Sequence, residues 1–322
     1  MMASRKYFAH AFALLFGLLA VEAHAQDVRS WLTRMNSAME ALNYEGTFVH
    51  VHGGNAETLR ITHRNDNGHI SERVVSKDGV RREIIRRADE VRVILPNRRV
   101  VLLDETREAS PLVSALPSYS EVLEPHYEFA LRATARRVAE RPTQVIRIRP
   151  KDEFRYGYRL WLDQDTAMPL KSQLVDENGE IIEQILFTRF EIFDFIPAAQ
   201  LESTIDTEGF KLLAPARSRP VPDEGVLWQA SMLPGGFALS VANHGPLAGS
   251  EHPVEHHVYS DGLAVVSVFI EDPQAEAEVA EGFSMLGSTN AFSTTVSGRK
   301  VTAIGEVPYK TLHQIAISLT AE

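Results

Sequence analysis

Apolar and polar positions alternate along this chain with two distinct periods. Val28, Trp31, Leu32, Met35, Met39 and Leu42 fall on one stripe of a helix, with Asp27 as its cap. From about residue 43 the period drops to two. Turn signals recur at Gly53-Gly54-Asn55, Asn65-Asp66-Asn67-Gly68, Lys77-Asp78-Gly79, Ala88-Asp89-Glu90 and Pro96-Asn97. Turns spaced roughly eight to twelve residues apart are what an antiparallel meander needs. A break at Ser110–Pro125, holding three prolines, predicts loops and a short helix. Strands resume near 126–139, 143–149, 155–163, 170–176 and 180–192, with Asp176-Glu177-Asn178-Gly179 as a tight hairpin turn. One long helix and about ten strands predict a curved sheet or open barrel wrapped around the helix, an α+β arrangement.

Several of these strands are apolar on both faces. Val100 and Leu102 face one way, Val101 and Leu103 the other; Tyr158, Leu160 and Leu162 share a face, with Trp161 opposite. A strand apolar on both sides must be covered on both. The helix supplies one cover. The other is a second layer or a cavity for an apolar ligand, and Val100, Leu102, Tyr158, Leu160 and Leu162 are the candidate cavity wall.

The stretch Ala214-Pro-Ala-Arg-Ser-Arg-Pro-Val-Pro222 has three prolines and no period, the signature of a semi-rigid linker. It divides a first domain, 26–213, from a second, 226–322, with 214–225 as the linker. Beyond it, Trp228–Ala242 and Val254–Glu271 read as strands, the latter folding at Ser260-Asp261-Gly262. Strands near 290–296 and 300–306 precede a helix opened by Pro308, with Leu312, Ile315, Ala316 and Leu319 on one face. This is a small antiparallel sheet plus a helix.

The N-terminus changes the picture of where this fold operates. Arg5 and Lys6 precede the apolar run Ala11–Ala20, and Ala23-His24-Ala25 follows it, the pattern of a secretory signal (residues 1–25) cleaved between Ala25 and Gln26. The run is too short to span a bilayer, which takes about 20 apolar residues. The expectation is an exported, periplasmic chain that does not span the membrane. With no cysteine in 322 residues, thiolate chemistry, disulfides, cysteine-ligated zinc and Cys-linked lipid anchors are excluded. Charge is split: residues 59–159 carry 21 Lys+Arg against 15 Asp+Glu, and residues 160–322 carry 8 against 23. An exported protein rarely meets nucleic acid, so anionic lipid head groups or an acidic polypeptide are the fitting partners for the basic strands 59–99, against solvated arginines on outer strand faces.

Little in the chain resembles a catalytic constellation. His252-Pro-Val-Glu255-His256 matches a zinc motif in letters, but that motif works on a helix, and here it runs into a hairpin where the glutamate points away from both histidines. His50 and His52 share a strand face without a third ligand. No nucleophile elbow, Walker loop or dinucleotide turn is present. No metal, cofactor or catalytic residue is expected, and the chain reads as a binding protein rather than an enzyme.

Several stretches, taken together and in order, resemble the RseB/MucB family, periplasmic negative regulators of the envelope-stress sigma factor of Gram-negative bacteria. In the first domain they are Tyr44-Glu-Gly-Thr-Phe-Val49, Arg155-Tyr-Gly-Tyr158 and Leu162-Asp-Gln-Asp-Thr-Ala-Met-Pro-Leu-Lys-Ser172. In the second they are Trp228, Leu233-Pro-Gly-Gly-Phe237, Tyr259-Ser-Asp-Gly-Leu263, Ser267-Val-Phe-Ile-Glu271 and Val301-Thr-Ala-Ile-Gly-Glu-Val-Pro308. The resemblance implies a first domain like the carriers LolA and LolB, a half-open antiparallel barrel closed by helices around an apolar cavity. It implies binding to the periplasmic domain of a membrane-spanning anti-sigma factor (RseA/MucA-like), which shields that factor from proteolysis. It also implies sensing of lipopolysaccharide or lipoprotein acyl chains through the cavity. Trp228, Leu233, Phe237 and Tyr259 are then the candidate partner contacts. A periplasmic lipid or lipoprotein carrier is the alternative, because fold analogy alone does not settle function.

Overall fold

The computed structural model describes residues 28–87, 90–104, 116–117, 119–213, 219–220, 228–246, 253–271 and 281–321. The predicted leader, most of the Pro-rich linker and His252 lie outside the described residues.

The helical stripe forms as expected. Helix α1 (28–41) buries Val28, Leu32, Met35 and Met39. The chain then runs through β1 (Asn43–His52), β2 (Asn55–Asp66), β3 (His69–Ser76), β4 (Glu83–Arg87), β5 (Glu90–Leu95), β6 (Val100–Asp104), β7 (Tyr127–Val138), β8 (Arg141–Pro150), β9 (Gly157–Asp163), β10 (Pro169–Val175), β11 (Ile181–Phe193) and β12 (Lys211–Leu213). These make one open sheet in the order β12-β6-β5-β4-β3-β2-β1-β11-β10-β9-β8-β7. Every pairing is antiparallel except that of β12, which returns to lie parallel on the edge of β6. Register shifts at Thr47/Phe48, Arg132/Arg136, Pro169/Lys171 and Leu174/Val175 bend the strands, as bulges do. The concave side closes on α1: Leu32, Met35, Tyr44, Phe48, Ile61, Ile146, Leu160, Leu162, Phe187 and Phe190 form one core. Each such side chain contributes about 1.5–3 kcal/mol when withdrawn from water. Gly46 explains part of the first matching stretch. A Cβ there would lie 2.3 Å from the ring of Phe187, so only glycine lets that ring sink against β1.

The second unit comprises β13 (Arg219–Pro220), β14 (Trp228–Ala230), β15 (Ala238–Pro246), β16 (Pro253–Ser260), β17 (Val265–Glu271), β18 (Gly282–Leu286), β19 (Thr289–Val296), β20 (Arg299–Gly305), α2 (Tyr309–Ile317) and β21 (Leu319–Ala321). Its sheet runs β13-β15-β16-β17-β20-β19-β18, and β14 pairs with β21 separately. α2 turns Leu312, Ile315 and Ala316 onto Val266, Val268, Val301 and Ala303.

Leu319 is not on the helix as expected. α2 stops at Ile317, where the Ser318 hydroxyl bonds the carbonyls of Ile315 and Met232, and Leu319 pairs with Ala230 to start β21. A ladder to β14 replaces the last helical turn. Three strands carry no clear period in sequence: β12, β13 and β18, the last exposed at all five positions.

Candidate functional site: the junction of the two units and the open apolar face

Arg155 is the centre of the junction. It sits in the loop between β8 and β9, is fully buried, and reaches into the second unit. Its Nη1 donates to Asp261 Oδ2 at 2.6 Å, its Nη2 to the Gly235 carbonyl at 2.5 Å, and its Nε to Asp152 within its own loop at 3.0 Å. The guanidinium lies between two rings, 5.3 Å from the centroid of Tyr127 and 5.4 Å from that of Phe237. Asp261 is equally saturated: it accepts from Arg155, from the Tyr127 hydroxyl at 2.9 Å, and from the backbone N–H groups of Leu263 and Ala264 at 2.8 and 2.7 Å. Burial, and then the Asp261 charge, hold the Tyr127 phenol far above its ordinary pKa, so it stays a donor.

The backbone is shaped for this contact. Gly236 has φ +84°, and a Cβ on it would stand 2.5 Å from the His126 ring, so the turn packs flat against the first unit. Around the lock, Thr311 donates to the Phe154 carbonyl at 2.5 Å, Asn290 donates to the Tyr156 hydroxyl at 2.9 Å, Lys310 pairs with Glu153, and Leu263 packs on the first core. Three matching stretches distant in sequence, at 155–158, 233–237 and 259–263, therefore converge on one place. Read as sequence, Asp261-Gly262 was only a turn; the missing signal was an arginine and an aspartate in separate units, which no local pattern links.

The four candidate partner residues lie inward. Trp228, Phe237 and Tyr259 are buried in the core of the second unit and Leu233 packs against it. They hold that unit together, and Phe237 alone among them also touches the guanidinium of Arg155.

The five candidate cavity residues share the concave side but not one place, because seven strands separate β6 from β9 in the sheet order. Leu160 and Leu162 are fully buried beneath α1, and Tyr158 packs beside them. Val100 and Leu102 differ. Register aligns Leu102 with Val93 and Val93 with Ile84, whose side chain rests on the core, so these residues continue the concave face outward. There Leu102 is 37% exposed. Val101 and Leu103 face the other way, into a separate small cluster with Ile85, Ile94, Ile205 and Phe210. Both faces of β6 are thus covered, one by the segment after β11 and the other only in part.

The arginines of strands 59–99 are mostly spoken for. Arg60 pairs with Glu45, Arg73 with Glu83, Arg82 with Glu57, Arg86 with Glu72 and Arg87 with Glu202. Cations without a carboxylate partner among the described residues gather elsewhere, on the outer face of β8–β10, where Arg147 is directly opposite Arg159 and Lys171 covers the Trp161 ring at 4.5 Å. Burial, then Arg136 and Arg159, lower the Lys171 pKa.

For the zinc-like motif, Glu255 bonds His257 Nε2 at 2.7 Å, while His256 turns to the opposite face of β16 and stacks on Phe269. Among the described residues no three His, Asp or Glu side chains are placed to hold a metal ion, and no helix is long and apolar enough to cross a membrane.

The fold is therefore that of a two-unit binding protein, with an open apolar face on one unit and a buried charge lock between the units. The chain belongs to the MucB/RseB family: residues 27–205 match the MucB/RseB N-terminal domain and residues 222–320 the C-terminal domain. It is 34% identical over 319 residues to the sigma factor AlgU regulatory protein MucB of Pseudomonas aeruginosa, covering 96% of each chain. It is 29% identical to the sigma-E factor regulatory protein RseB of Escherichia coli K12, covering 95% of each. Among solved structures, MucB in complex with MucA(peri) matches with a TM-score of 0.71 at 31% identity, over 91% of this chain and 98% of that one. Both of these relatives are sigma factor regulatory proteins.

Proposed function

We propose that this protein is a periplasmic regulator that holds the periplasmic segment of a membrane anti-sigma factor, shields it from proteolysis and so restrains an envelope-stress sigma factor. The observation that carries the reading is the match of both units, at a TM-score of 0.71, to a MucB solved with MucA(peri). The leader at 1–25, cleaved between Ala25 and Gln26, supplies the route to that compartment. The linker 214–225 joins a unit of 26–213 to one of 226–322, and the Arg155–Asp261 lock sets their mutual pose. The half-open face at Val100 and Leu102 supports a second element of the reading: an acyl chain of lipoprotein or lipopolysaccharide lodges there and weakens the hold on the partner. A ligand changes that hold only by its unequal affinity for the free and partner-bound forms, typically about 1–3 kcal/mol, and the effect is reciprocal.

The experiment is a titration of the mature chain with the periplasmic fragment of the anti-sigma factor, followed by protease challenge of the fragment. Saturable binding and protection are expected, with weaker binding when an acylated peptide is added. No binding at micromolar concentration overturns the regulatory reading. Uptake of the acylated peptide without any binding of the fragment would favour a lipid carrier.

A further inference from the structure

Beside the Arg155 lock, carboxyl groups from the two units face each other. Glu183 of β11 accepts from His50 of β1, with Oε1 2.5 Å from Nε2. From the second unit, the turn between β18 and β19 presents Ser288, whose hydroxyl donates to Glu306 Oε1 at 2.5 Å. The turn that holds Glu306 through Ser288 abuts His52, which stands opposite Glu183 in the β1–β11 ladder, so the two carboxyls meet across the junction and each bears on the other's charge. The backbones come equally close here, since a Cβ on Gly287 would lie 2.7 Å from His52 Nδ1. The groups around the pair are His50 and His52 from β1, Tyr156 just before β9 and Tyr158 on it, and Ser288 from the second unit. Both phenols are held neutral, chiefly by burial. Among the described residues neither carboxyl forms an ion pair with a lysine or arginine.

Two carboxylates in contact do not both ionise without cost. Their surroundings already divide the roles. Burial opposes the charge of Glu183, but the bond to His50 and its charge outweigh burial and keep that pKa below the ordinary value. Burial and then the Glu183 charge raise the pKa of Glu306. Glu306 as a residue stands exposed at the rim while its Oε1 is part-buried in the bond to Ser288, so its proton exchanges with bulk water and part of the repulsion is screened.

We propose that Glu183 and Glu306 share one proton across the junction, so that closure of the two units on each other takes up a proton and is tightened by mild acid. The direction follows from the two groups separately. Glu306 is raised on closure, so its contribution is complete below the ordinary pKa of 4.5 and is lost as pH rises through the raised value. Glu183 is lowered, against burial, by His50 of its own unit, so that lowering does not depend on closure. Above 4.5 the acid-favoured term of Glu306 acts alone, and one proton changes the closure equilibrium by at most about tenfold per pH unit.

The test uses the full mature chain and needs no partner, so it fails or succeeds independently of the proposed function. Because the chain has no cysteine, Val80→Cys and Thr295→Cys place one label on each unit for distance measurement. The closed fraction is expected to become several-fold more favoured as pH is lowered from neutrality toward 4.5. Glu306→Gln, whose amide can donate to Glu183 at any pH, is expected to stay closed and lose the response. Should that variant fold poorly on melting, Ser288→Ala reads the same point. It removes a donor that favours the Glu306 anion, and so moves the midpoint of the response to higher pH. An unresponsive wild type overturns the proposal. So does a response that survives in folded Glu306→Gln, or one that vanishes only in His50→Gln, which would place the proton on the histidine.

Discussion

Replacing Asp261 tests the junction most directly, and the two obvious replacements should not be equal. Asp261→Asn keeps the shape and the acceptor for the Leu263 and Ala264 N–H groups, but leaves the buried Arg155 guanidinium without its Oδ2 partner at 2.6 Å. Breaking a buried pair by removing one partner typically costs about 3–5 kcal/mol. Asp152 still accepts from Arg155 Nε, which places Asp261→Asn near the lower figure, about 3 kcal/mol. Asp261→Ala also orphans the two hairpin N–H groups, whereas the Tyr127 hydroxyl, which donates to the same Oδ2, loses its acceptor in either variant. Each buried donor left unmade costs about 1–3 kcal/mol, so about 5 kcal/mol or more is expected in total. The assay is denaturant unfolding followed separately in each unit. Because Arg155 and Asp261 belong to different units, the loss should appear as uncoupling: one shared transition in the wild type, two in the variants. Arg155→Met combined with Asp261→Leu should recover part of the loss, since an apolar pair leaves no stranded charge. A cost below about 1 kcal/mol for both single variants, with the transitions still coincident, would refute the account, because it would mean the pair is not desolvated in solution.

Two further outcomes follow from single residues. His63 is buried, stacked on Tyr44 at 4.8 Å and bonded to the Leu42 carbonyl, and burial pushes its pKa down to about 4 from 6.5. Its contribution to stability is therefore complete above 6.5 and is lost as pH falls toward about 4, a loss of up to about 3 kcal/mol; chemical melts from pH 7 to 4 should show one proton fewer taken up on unfolding in His63→Gln. Gly46→Ala should lower stability by about 1–3 kcal/mol through its clash with Phe187, and Phe187→Leu in the same chain should return part of it, which thermal melts of the single and double variants would show.

Much of the fold was legible because its elements are local. The stripe Val28–Met39 and the turns at 53–54, 67–68 and 177–178 follow from period and turn chemistry, and the structure places them as read. β12 was not legible: Lys211-Leu-Leu213 has no period, and it becomes a strand only because β6 offers it an edge more than a hundred residues away in sequence. Leu319 was misassigned for a similar reason, since the partner that draws it into a ladder is Ala230. The candidate partner residues lie in or against the core of the second unit. Trp228, Phe237 and Tyr259 stood out as large aromatics in matching stretches, yet such residues are as often fixed by packing as by recognition. Arg155 and Asp261 carry the junction; each stood in a matching stretch, but nothing local linked one to the other.

The second unit is joined to the first twice, by the chain through residues 214–227 and by the lock at Arg155. Opening the lock therefore releases nothing. The separated surfaces remain at an effective concentration on the order of millimolar, as a short tether imposes. A junction whose free halves bound each other with a Kd of about 0.1 mM would still be closed about ten times out of eleven. Evolution can then tune the contact to be weak without losing the closed form, and a ligand needs only a modest preference to shift the balance. Each opening is also reversed within the same molecule, so the system resets at a rate set by the tether and not by protein concentration.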